Sequence, residues 1–93
     1  MILYLAGKMT GIPDMGRRQF NEMEEWLTGK GHIVLNPARL PLGLDNEHYM
    51  QIGLKMLDAA EAIFLLSGWE TSKGARLEKE YALYQGKKVM YEE

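Results

Sequence analysis

Glu78 carries the sharpest chemical content in the sequence. Ala75, Glu78, Tyr81 and Ala82 recur at i, i+3 and i+4 spacing, so they share one helical stripe. The stripe holds the small and aromatic residues expected to face a sheet. A carboxylate set into it near the helix start has two readings. It reaches a site edge and serves as nucleophile or base, or it is a boundary glutamate with its head in solvent. Periodicity supports both equally. Arg76 and Glu80, four apart, are expected to form an exposed pair on the same helix.

Ser72-Lys73-Gly74 opens that helix. Free amides and the helix dipole at such a start favour a phosphate. Ser72 is also a good N-cap, and the two roles are compatible. Trp69 lies just upstream and either stacks on a nucleobase or covers the core or a dimer contact. Two further loops gather unusual residues: Gly7-Lys8-Met9-Thr10-Gly11 and Asn36-Pro37-Ala38-Arg39. Glycines at 7 and 11 let backbone amides approach an anion, although the run is neither G-x-G-x-x-G nor a P-loop. A flexible turn carrying a solvated lysine accounts for the same residues. Asp58 and Glu61, at the end of the second helix, are read as solvated or structural.

These loops fall into place once the chain is divided into elements. Ile2 to Ala6 is a continuous apolar run, the pattern of a strand buried on both faces. Phe20, Met23 and Leu27 share a face of a helix from about Met15 to Thr28, stopped by Gly29 and Gly31. His32 to Leu35 is a second strand. After a loop with two prolines, Asp45 or Asn46 caps a second helix, whose inward stripe is Tyr49, Ile52, Met56, Leu57 and Ala60. Ala62 to Leu66 is a third strand, the Ser72 helix runs to about Gly86, and Lys87 to Tyr91 is a fourth strand.

This β-α-β-α-β-α-β alternation implies a single α/β domain over residues 1–93. The expected fold is a flavodoxin-like or Rossmann-like three-layer sandwich, with a four-stranded parallel sheet in the order 2-1-3-4. In such a sheet ligands bind at the carboxyl ends of the strands. The expected site therefore joins Gly7, Lys8, Asn36, Trp69, Ser72, Gly74 and Glu78.

Composition bounds the remaining choices. With 46% hydrophobic and 26% charged residues, the chain has the profile of a soluble globular protein. A net charge of −2 gives no electrostatic case for nucleic acid. No apolar run approaches the ~20 residues of a membrane span, and the start reads as a strand rather than a leader. Cysteine is absent, and His32 and His48 lack metal-ligand spacing. A cytoplasmic protein with no metal or cofactor is expected. The seven methionines are read as core filling rather than a ligand groove. A core built from 93 residues has little excess stability, which makes a homodimer the expected state.

Together the edge loops and Glu78 resemble the nucleoside 2-deoxyribosyltransferase superfamily, which includes the 2'-deoxynucleoside 5'-phosphate N-hydrolases. Within it the chain most resembles a small, often phage-associated family of uncharacterised domains. The resemblance spans nearly the whole length. It rests on Tyr4-Leu5-Ala6-Gly7-Lys8-Met9-Thr10-Gly11, Leu35-Asn36-Pro37-Ala38, Tyr49-Met50 leading to Met56-Leu57-Asp58, and Gly68-Trp69-Glu70 followed by Ser72 to Glu78. It implies that Glu78 is the nucleophile attacking C1' of deoxyribose, and that Ser72 contacts a 5'-phosphate. It also places Gly7, Lys8, Met9 and Thr10 along the nucleotide. In the hydrolases the first loop carries a serine and an arginine where this chain has Lys8 and Thr10, so phosphate reading differs and falls to Lys8 or Lys73. The enzymes also carry an aspartate on the second helix where this chain has Gly53. Glu70 is a candidate substitute for it, and an aspartate introduced at 53 is expected to face the cleft without disturbing the core.

Three functions compete. One is an N-glycosidase or deoxyribosyltransferase acting on a nucleoside or its 5'-monophosphate, favoured by Glu78. Another is a non-catalytic nucleotide-binding or nucleotide-sequestering protein, favoured by Gly53. The third is a bare interaction domain, which the glycine-rich, charged edge loops argue against.

Overall fold

The computed structural model describes residues 1–93. Its strands are β1 (Ile2–Ala6), β2 (Ile33–Leu35), β3 (Ala62–Leu65) and β4 (Lys88–Tyr91). Its helices are α1 (Arg17–Gly29), α2 (Asn46–Ala59) and α3 (Lys73–Tyr84). The strands form one sheet in the order β2-β1-β3-β4, and every pairing is parallel. The order and direction are those expected from the alternation of elements. Boundaries shift by one or two residues, and the two loops expected after β2 and β3 each tighten into a 3-10 turn, at Pro37–Arg39 and Trp69–Thr71.

β1 is central, and its side chains alternate between the two faces of the sheet. Leu3 and Leu5 join Phe20, Leu27, Ala62, Phe64 and Leu66 beneath α1. Tyr4 and Ala6 join Leu57, Ile63, Leu65, Ala75 and Ala82 beneath α2 and α3. Period-two alternation in the strands thus meets helical stripes on both sides and makes three layers. Burying a residue such as Phe20 or Leu27, both closed off from solvent, contributes roughly 1.5–3 kcal/mol. The expected stripe of α2 needs one correction. Ile52 is 37% exposed, whereas Gly53, expected to face inward, is buried.

The loop after β1 is shaped by backbone constraints. Met15 and Gly16 both adopt left-handed φ, and a Cβ on Gly16 would sit 2.8 Å from the Lys8 carbonyl oxygen. Gly16 therefore lets the loop close back on its own start. Gly7 has a different reason from the anion approach expected of it. A Cβ there would lie 3.0 Å from Leu66 Cβ and 3.3 Å from the Phe20 ring. Leu66 Cβ is tied to backbone and cannot swing aside. Gly7→Ala is expected to overpack this junction at a cost of about 1–3 kcal/mol, read as a lowered urea midpoint with an unchanged slope.

Candidate functional site

The carboxyl end of β1 opens onto a cleft of about 840 Å³. Its floor is Tyr4 to Gly7, and its walls come from the 8–15 loop, the start of α2 and the first two turns of α3. Of the expected residues, Gly7, Lys8, Met9, Thr10, Ser72, Gly74 and Glu78 line it together. Asn36 and Trp69 do not.

Asn36 is buried and its carboxamide is committed to the fold. Its Nδ2 donates to Asn21 Oδ1 at 2.9 Å and Glu24 Oε1 at 2.8 Å, and its Oδ1 accepts from the Ala38 amide at 2.9 Å. It caps the 3-10 turn that carries Pro37 to the cleft wall. Trp69 packs beside Tyr91, ring centroids 6.0 Å apart, with Lys79 Nζ 4.7 Å from its own centroid. Its amphipathic ring covers the apolar cluster under α3 and β4, the core-covering alternative. Glu70, on the 3-10 turn beside it, is exposed and also outside the cleft lining, so it is not positioned to replace a missing aspartate.

Ser72 caps α3, its Oγ accepting from the Ala75 amide at 3.1 Å. That leaves the hydroxyl proton and the first-turn amides of Lys73 and Gly74 without intrahelical partners. The expected Arg76–Glu80 pair does not form. Both side chains line the cleft instead, alongside Lys8 and Lys73. The methionines also depart from expectation, since Met9, Met15 and Met50 line the cleft with Leu40, Tyr49 and Leu77. The entrance is therefore adaptable and apolar, with cations contributed by the β1 loop and by α3.

Glu78 stands at the centre. It is 8% exposed, and its Oε2 accepts from the Tyr4 hydroxyl at 2.5 Å. Burial pushes its pKa from the ordinary 4.5 up to about 7, opposed by the Tyr4 hydrogen bond. Burial also raises the Tyr4 pKa well above 10, and the neighbouring carboxylate adds to the shift. Tyr4 therefore stays protonated and donates. Inspection of the sequence overlooks Tyr4 because it sits inside an apolar strand. Its signal is that a phenol in a doubly buried strand needs a partner for its one polar atom.

Gly53 lies directly across from this pair. A Cβ at 53 would be 2.7 Å from Glu78 Oε2 and 2.7 Å from the Tyr4 hydroxyl. An aspartate there is not accommodated as expected, because its first side-chain carbon already collides with both groups.

A family model described as Domain of unknown function (DUF4406) matches residues 1–91. No curated protein matches the sequence. Among solved structures, "2-desoxiribosyltransferase from Leishmania mexicana" superposes with a TM-score of 0.77 at 23% sequence identity, covering 97% of this chain. The chain spans 62% of that structure's length. The likeness extends over the whole sheet and all three helices and establishes a common fold.

Proposed function

The chain belongs to the DUF4406 family, and from that premise we propose that it is an N-glycosidase or deoxyribosyltransferase acting on a nucleoside or its 5'-monophosphate. The observation that carries the reading is a single buried carboxyl, Glu78, on the wall of a cleft sized for a small molecule and held by one phenolic hydrogen bond. The likeness to a deoxyribosyltransferase adds the substrate class. A homodimer belongs to the same proposal, supported by Leu77, Leu83 and Tyr84 standing exposed on α3.

In the proposed reaction, ionised Glu78 attacks C1' of the sugar. A C–O bond forms, the C1'–N bond breaks, and the base leaves with the bonding pair, taking a proton from solvent at the open cleft. Water, or a second base, then attacks C1' and releases a proton to solvent, while the C1'–O bond breaks and Glu78 leaves as carboxylate. Tyr4 orients the carboxylate by donating to Oε2. Its second effect is to limit how far burial raises the Glu78 pKa. Lys8, Lys73 and the free amides of α3 would face an anionic 5' group.

Chromatography of free base over a panel of deoxynucleosides and their monophosphates tests the reading. Release is expected to rise with pH along a limb centred near 7, the Glu78 value. In Tyr4→Phe that limb is expected to move upward, because the hydrogen bond holding the pKa down is gone. Base release that is absent across the panel, with binding retained, would favour the nucleotide-sequestering reading.

A further inference from the structure

We propose that Gly53 is a positioning residue: the missing side chain on α2 holds open the space in which the Tyr4 hydroxyl meets the Glu78 carboxyl. Three elements converge there. Tyr4 rises from β1, Glu78 descends from α3, and Gly53 faces both from the middle of α2. The contact between Tyr4 and Glu78 joins residues 74 apart in sequence. Any Cβ at 53 would come within 2.7 Å of both interacting oxygens, far inside van der Waals contact. Of the two, the Tyr4 oxygen has less room to retreat. It is the tip of a rigid ring, itself 2% exposed and packed in the core beneath α2. The Glu78 carboxyl, on a flexible stem, can retreat only by giving up the hydrogen bond.

The residue choice also runs against local preference. Glycine inside a helix is disfavoured relative to alanine, and Gly53 lies well within the fourteen residues of α2. Backbone conformation does not call for it, since Gly53 is absent from the positive-φ glycines. Close approach is the remaining reason. Gly74 makes a smaller reciprocal allowance, where a Cβ would lie 3.2 Å from Met50 Cε. That neighbour is the end of a flexible chain and can yield, whereas the pair facing Gly53 cannot yield without separating.

The close approach at Gly53 is independent of the reaction. Its catalytic consequence rests on reading Glu78 as the attacking carboxylate. A double-mutant cycle separates the two. Thermal midpoints are measured for the full-length protein and for Gly53→Ala, Tyr4→Phe and the double variant. Gly53→Ala is expected to lower the midpoint of the otherwise native protein by several degrees. In the Tyr4→Phe background the phenolic oxygen is gone and Glu78 is free to swing aside. There the same substitution is expected to raise the midpoint, because alanine's helix preference is uncovered. A reversal of sign is not expected from a merely structural glycine. Equal destabilisation in both backgrounds, or no effect in the native background, overturns the proposal. Where base release is measurable, Gly53→Ala should lower kcat on the order of 10²-fold, with KM little changed and the pH limb displaced from its native position. If the native protein releases no base, the catalytic reading fails while the midpoint reversal still decides the geometric one.

Discussion

Glu78→Gln is expected to reduce base release on the order of 10⁴-fold or more, the largest activity loss of any single substitution in the cleft. Glutamine keeps the size of the side chain and an oxygen to accept from Tyr4, so the cleft retains its shape. It cannot form the ester to C1', and no other carboxylate is placed to substitute. Glu80 lines the cleft but is exposed and unpaired, and Glu70 lies outside it. Nucleotide affinity, measured by calorimetry on the same variant, should stay within a few fold of the native value. A variant that released base at a tenth of the native rate would remove Glu78 from the chemistry.

The second large effect is on stability, and it follows from the same carboxyl. Its pKa is raised by burial from 4.5 to about 7 in the folded protein. Between those values the folded state holds a proton that the unfolded chain has released. Stability is therefore fully present below about pH 4.5 and is lost as pH rises toward and through 7. At 1.36 kcal/mol per unit the shift amounts to about 3 kcal/mol, a large share of what a 93-residue domain has to spare. Urea titrations at pH 5 and pH 8 should show the native protein losing roughly this much stability across the interval. Glu78→Gln has nothing to ionise there, so its curve should be flatter by the same amount. It should be the more stable protein at pH 8. A native profile as flat as the variant's would mean that the carboxylate is solvated in the folded state.

The fold was legible because each short apolar run is separated from the next by an amphipathic helix, which leaves a parallel sheet as the economical arrangement. Much of the cleft followed from topology, since strand ends and the Ser72 cap converge on one edge. What escaped sequence reading depends on contacts between distant segments. Tyr4 is indistinguishable from its apolar neighbours until α3 is docked over it. Gly53 is marked by the resemblance as a position facing the cleft, but the reason it lacks a side chain shows only when the Tyr4–Glu78 pair is seen across from it. Asn36 occupies the loop where a ligand group was expected, yet its hydrogen bonds go to Asn21, Glu24 and the Ala38 amide. Which polar residue of an edge loop serves the fold and which faces the cleft is decided by partners such as Glu24, contributed by α1.

The placement of β1 at the centre of the sheet has a consequence for the chain as it is synthesised. In the finished sheet β1 is flanked by β2 and by β3, and β3 begins only at Ala62. Until then one edge of β1 has no partner, and α3 is still missing from the layer it shares with α2. Closure demands contacts of long sequence separation, which slow folding and prolong the exposure of sticky surface. The Tyr4–Glu78 bond forms only after α3 has emerged, with β4 still to follow. A chain halted before α3 would carry the β1 loop that lines the cleft without Glu78.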